Sequence, residues 1–115
     1  MNTSAFITDV VKTVDELSRS RYCDDGGVRL SYDSIDDGEF KLLASEIIKR
    51  FNAKMRRYSD SEFLAEVNGV YVFIYIENCS QRFLRPWVVS ITINEDLCDF
   101  GEACDDVKVL HDLFK

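Results

Sequence analysis

The chain has 115 residues, 46% of them apolar and 30% charged, with 14 Lys and Arg against 21 Asp and Glu. That length suits a single globular domain spanning 1–115, large enough to bury one core without covalent staples, and the composition excludes disorder over most of it. A net charge of −7 disfavours phosphate backbones and anionic membrane surfaces and favours basic partners, or simply solubility.

Residues 4–20 are predicted as a first helix, because Phe6, Ile7, Val10, Val11, Val14 and Leu17 recur at three- and four-residue spacing and make one apolar stripe. Thr3 or Ser4 is the expected cap. Asp24-Asp25-Gly26-Gly27 reads as a loop, and Val28 to Tyr32 alternates as a short strand with Val28, Leu30 and Tyr32 on one side. A second helix is expected to open at Asp36 with Glu39 reaching back as a capping box. It is expected to run to about Arg57 on the stripe Phe40, Leu43, Ala44, Ile47, Ile48, Phe51 and Met55. The cations Lys49, Arg50, Lys54, Arg56 and Arg57 then fall in its last turns, where they complement the helix dipole.

Asn68-Gly69 is the strongest turn signal in the chain, since both residues tolerate the positive φ of a two-residue hairpin. Such a turn sets Val67 against Val70, Ala65 against Val72 and Phe63 against Ile74. Alternation puts these residues and Ile76 on one apolar face. The other face receives Glu62, Leu64, Glu66, Tyr71, Phe73, Tyr75 and Glu77. Residues 80–86 read as a loop ending at Pro86. Trp87, Val89, Ile91 and Ile93 alternate with Val88, Ser90, Thr92 and Asn94 as a further strand. A last helix is expected from about 103 to 113, burying Val107 and Leu110, after an acidic stretch of Glu95, Asp96, Asp99, Glu102, Asp105 and Asp106.

The predicted order is α-β-α-β-β-β-α, an α+β two-layer domain with a mainly antiparallel sheet and a central Asn-Gly hairpin. From Asp37 to Phe114 this order is similar to that of double-stranded-RNA-binding domains. Where those domains place lysines at the start of their second helix, this chain has Asp105 and Asp106. No direct nucleic-acid contact is expected.

The longest purely apolar run, Val70–Ile76, has seven residues, against about 20 for a membrane helix. No basic segment followed by an apolar run opens the chain, so a cytoplasmic location is expected. In that compartment Cys23, Cys79, Cys98 and Cys104 read as thiols rather than disulfides. Cys98, Cys104 and His111 follow no zinc-ligand spacing, so no metal and no cofactor is expected. Cys104 and His111, seven residues apart on one helix, would lie about 10 Å apart, too far to act as a nucleophile and base. No phosphate loop, nucleophile elbow or dinucleotide fingerprint occurs, and an enzyme is not expected.

The second sheet face carries the functional reading: a row of Tyr71, Phe73 and Tyr75 beside Glu62, Glu66 and Glu77. Amphipathic rings are enriched at protein interfaces. Two uses are expected from this face, unless a helix covers the rings as a second small core. One is an acidic inhibitor, immunity-type protein, antitoxin or phage protein that occludes a basic, nucleic-acid-acting partner. The other is a homodimer or higher oligomer closed through the aromatic face. On the cysteine reading, thiol titration of freshly purified, denatured and non-reduced protein counts four; a count of two or zero contradicts it.

Overall fold

The structure, a computed structural model, describes residues 5–21, 27–36, 38–79 and 86–95. Over these the elements run α1 (Ala5–Ser20), β1 (Val28–Tyr32), α2 (Glu39–Phe51), β2 (Lys54–Tyr58), β3 (Glu62–Val67), β4 (Val70–Asn78) and β5 (Trp87–Asn94). The fold is α+β: one five-stranded antiparallel sheet in the order β1-β5-β4-β3-β2, with two described helices. The expected last helix near 103–113, the caps Thr3 and Ser4, and Cys23, Cys98, Cys104 and His111 lie outside the described residues.

β3 and β4 are joined by Asn68 and Gly69, whose φ angles are +51° and +83°. The register across that turn is Val67↔Val70, Ala65↔Val72 and Phe63↔Ile74. Because side chains alternate, this one register sorts the whole sheet into an inner and an outer face. The inner face buries Met55, Phe63, Ala65, Val67, Val70, Val72, Ile74, Ile76, Val89 and Ile91 in one cluster with the stripes of both helices. Those stripes are Phe6, Ile7, Val10, Val11 and Val14 from α1, and Phe40, Leu43, Ala44 and Ile47 from α2. Both helices therefore cover the same side.

The second helix is shorter than its apolar periodicity implies. It ends at Phe51, where Asn52 turns into the left-handed region (φ +50°) and donates its amide to Ile48 O. Asparagine takes that conformation more readily than other non-glycine residues. Lys54–Tyr58 is a strand, not the last helical turn. Met55 sits four residues after Phe51 by coincidence; it reaches the core from β2, opposite Ala65. Only Lys49 and Arg50 lie in the last turn of α2, so the dipole accounts for two of the five cations. The expected capping box is also absent: the N-cap is Gly38 at φ +88°, with no side-chain cap, and Glu39 donates its amide to Asp36 O at 3.0 Å. With four strands following α2, the order is no longer that of a double-stranded-RNA-binding domain.

One polar cluster ties α1 to the sheet. Arg21, at φ +57°, donates its amide to Leu17 O at 2.8 Å and ends the helix. Its guanidinium donates to Asn68 O at 3.1 Å and Gly69 O at 3.5 Å, and pairs with Glu95 at 3.3 Å. Asn68 Nδ2 in turn donates to Ser18 Oγ at 3.1 Å, which supplies the buried Ser18 hydroxyl with a partner. Elsewhere Tyr32 stands edge-on to Phe6, centroids 5.6 Å apart, and donates its hydroxyl to Asp9 at 2.8 Å. Tyr58 stacks on Phe40; burial first, and the Asp60 charge second, hold its phenol above the ordinary 10.0.

Gly27 enters β1 at φ +69°, and a Cβ there would fall 2.5 Å from Ile91 O and against Thr92 Cγ2. Gly27→Ala is thus expected to destabilise by roughly 1–3 kcal/mol, from the left-handed backbone and the forced retreat from β5. Urea unfolding followed by Trp87 fluorescence measures it, and an unchanged midpoint refutes the close approach.

Candidate functional site

The outer sheet face is built from every second residue of its strands, read across the registers. At the turn end, Lys54, Glu66, Tyr71 and Asn94 form one row; next come Arg57, Leu64, Phe73 and Thr92. The third row is Glu62, Tyr75, Ser90 and Arg29, and the far end has Glu77, Val88 and Ser31. All six residues singled out from the sequence, Glu62, Glu66, Tyr71, Phe73, Tyr75 and Glu77, stand on this face. Glu66 is directly opposite Tyr71, and Glu62 opposite Tyr75. The three rings are half-buried, as are Glu62 and Glu66, while Glu77 is exposed.

Sequence reasoning missed the cations. Because Lys54–Tyr58 is an edge strand, Lys54 stands opposite Glu66, and Arg57 stands opposite Leu64. Arg57 Cζ lies 5.5 Å from the centroid of the Phe73 ring, a cation–π contact across the fully buried Leu64. Arg29 comes in from β1 beside Ser90. The face therefore carries three cations among its three carboxylates, and its rim is mixed rather than acidic. A usable signal was Lys54-Met55-Arg56-Arg57-Tyr58 itself, where one apolar residue is followed by cations and an aromatic just after an asparagine.

The strand that delivers these cations is irregular. The register shifts between Met55 and Arg57, so Arg56 is the extra residue of a β-bulge. Arg56 Nε is buried with no hydrogen-bond partner among the described residues. A bulge and cations on an edge strand also oppose pairing of that edge with another chain.

A second concave feature lies between the helices, a groove of about 580 Å³ lined by Ile7, Val11, Phe51 and charges of both signs. Three of those charges are engaged locally: Arg50 pairs with Glu46 at 3.1 Å, and Asp15 with Arg19 outside the groove. Among the described residues, no three His, Cys, Asp or Glu side chains gather as metal ligands. No described helix is long and apolar enough to cross a membrane. Compared with protein families, curated proteins and solved structures, the chain matches none.

Leu64 behaves as core although it stands on the outer face. Leu64→Ala is expected to cost about 2–4 kcal/mol, as for other enclosed leucines, whereas Glu77→Ala on the same face stays within about 0.5 kcal/mol. Paired chemical-denaturation curves test both, and equal small effects would show that Leu64 is not enclosed.

Proposed function

We propose that this chain is a non-enzymatic protein-binding domain that uses the outer sheet face, and that its partner is a basic protein. The observation that carries this reading is the row of Tyr71, Phe73 and Tyr75 on the central strand β4, flanked by Glu62, Glu66 and Glu77. Half-buried aromatic rings give a partner large apolar area with polar tips, and so supply the affinity. The chain's excess of 21 acidic over 14 basic residues supplies the long-range attraction, which speeds the encounter and selects the sign of the partner. An inhibitor or immunity-type role, occluding a basic nucleic-acid-acting protein in the cytoplasm, fits that chemistry.

One observation favours a second reading, closure against another copy of the same chain. Arg29, Lys54 and Arg57 share the face with three carboxylates, and a surface holding both signs can be complementary to itself under a two-fold axis.

Crosslinked capture from the native cytosol, identified by mass spectrometry, followed by binding kinetics, separates the readings. Phe73→Ala and Tyr75→Ala are expected to weaken the complex by roughly 1–4 kcal/mol each while the domain still unfolds cooperatively. Glu62→Lys with Glu77→Lys should slow association with a basic partner and flatten its salt dependence. A partner with an acidic isoelectric point contradicts the basic-partner reading. Sedimentation as a monomer at high concentration removes the dimer.

A further inference from the structure

Asp and Glu outnumber Lys and Arg by 21 to 14 in this chain, so a cation here finds an acid readily. Arg19, Arg21 and Arg50 each do so. Lys54 and Arg56 on β2 do not: neither side chain makes an ion pair or hydrogen bond among the described residues. Lys54 stands opposite Glu66 across the register and still forms no bridge to it. Arg56 is half-buried, and its Nε is closed off from water without an acceptor. A buried donor left unbonded is unfavourable. Neither residue lies on a helix, so no helix dipole holds them in place.

We propose that this border of the sheet is a second binding site, and that it takes an extended acidic segment of another protein. β2 is the last strand of its sheet and pairs, among the described strands, only with β3. Its other side offers main-chain groups to a peptide laid along it. Lys54 and Arg56 stand two residues apart, roughly 6–7 Å along a strand. An extended ligand with carboxylates at alternate positions meets both. A guanidinium presents Nε and one Nη side-on to the two oxygens of a carboxylate. Arg56, turned towards such a ligand, gives its unbonded Nε a charged acceptor, and a bulge is the local device that re-aims a side chain in this way. The cations that repel a second copy of this edge, and that lose their water against a neutral strand, are neutralised by an acidic one.

A nucleic-acid strand fits the border less well. It makes no use of main-chain groups in a strand pairing, and its continuous phosphates meet the chain's net charge of −7 along their whole length. Tyr58, at the end of β2, is already stacked on Phe40 and is not free to take a base. The site goes beyond the basic-partner reading and does not rest on it, because Arg56 is the diagnostic residue here and the rings of β4 are the diagnostic residues there.

The experiment is fluorescence anisotropy of the full-length chain with a short labelled peptide alternating glutamate and threonine. Binding is expected, and it should vanish when glutamine replaces the glutamates of the peptide, a comparison made on the unaltered protein. Arg56→Met keeps the apolar stem and removes the donors; it should weaken binding about tenfold or more, the loss of one charge-assisted pair. Lys12→Met, which changes the net charge equally on α1, should shift the affinity less than about twofold. Phe73→Ala should leave it unchanged, so the peptide site and the aromatic face fail or stand separately. No binding at millimolar peptide overturns the proposal, as does equal weakening by Arg56→Met and Lys12→Met. An oligothymidine of equal charge that binds as tightly, with the same dependence on Arg56, overturns the acidic segment as occupant.

Discussion

The register of β3 against β4 is the constraint on which the rest of the molecule depends. With Val67 opposite Val70, every inward side chain from Phe63 to Ile76 is apolar and nearly every outward one is aromatic or charged. A slip of one residue would turn one of the two strands over, sending either Glu62 and Glu66 of β3 or Tyr71 and Tyr75 of β4 towards the helices. The buried inward side chains Phe63, Ala65, Val67, Val70, Val72, Ile74 and Ile76, the larger of them contributing on the order of 2 kcal/mol each, therefore all vote for one alignment. The positive φ angles at Asn68 and Gly69 are what make the shortest connection compatible with it. Arg21 and Ser18 then fasten the end of α1 to that same turn, so the helix layer takes its position from the hairpin.

Most of this was legible because its signals are local. The stripe of α1, the alternation of β1 and β5, and the apolar face of β3 and β4 are properties of short windows. The boundary between α2 and β2 was not, because two periodicities overlap there. Phe51 and Met55 stand at helical spacing, yet Met55 and Arg57 take places in a strand whose bulge breaks the period of two. Asn52 in the left-handed region decides between them, and an isolated asparagine is a weak stop signal in sequence. The error propagated to the site. Tyr71, Phe73 and Tyr75 could be placed together from one strand, but their cationic neighbours come from β2 and β1, and cross-strand neighbours are legible only once every strand is known.

Charge on this domain is unevenly placed. The described outer face balances three cations with three carboxylates, while the C-terminal 20 residues alone hold six acidic side chains. Two roles that net charge would lump together thus separate. The mixed face can orient a contact through specific pairs, and the acidic excess acts at longer range, where ionic strength governs it. The cations at the β2 edge serve also as a guard, since Lys54, Arg56 and Arg57 on a bulged strand oppose edge-to-edge pairing.

The strand order carries a kinetic consequence. β2, β3, β4 and β5 are neighbours in sequence and in space, a meander whose pairings close short loops. β1 instead pairs with β5, Val28 against Ile91, across more than half the chain. Loop-closure entropy makes that pairing the costliest to reach and the last to be rewarded. Until β1 arrives, the edge of β5 is a run of Val, Ile and Thr with its backbone donors and acceptors unmatched. The opposite border of the sheet is protected by its own composition from the start; this one is protected only by completing the fold, and the time spent waiting for β1 is the interval in which nascent chains can pair with one another.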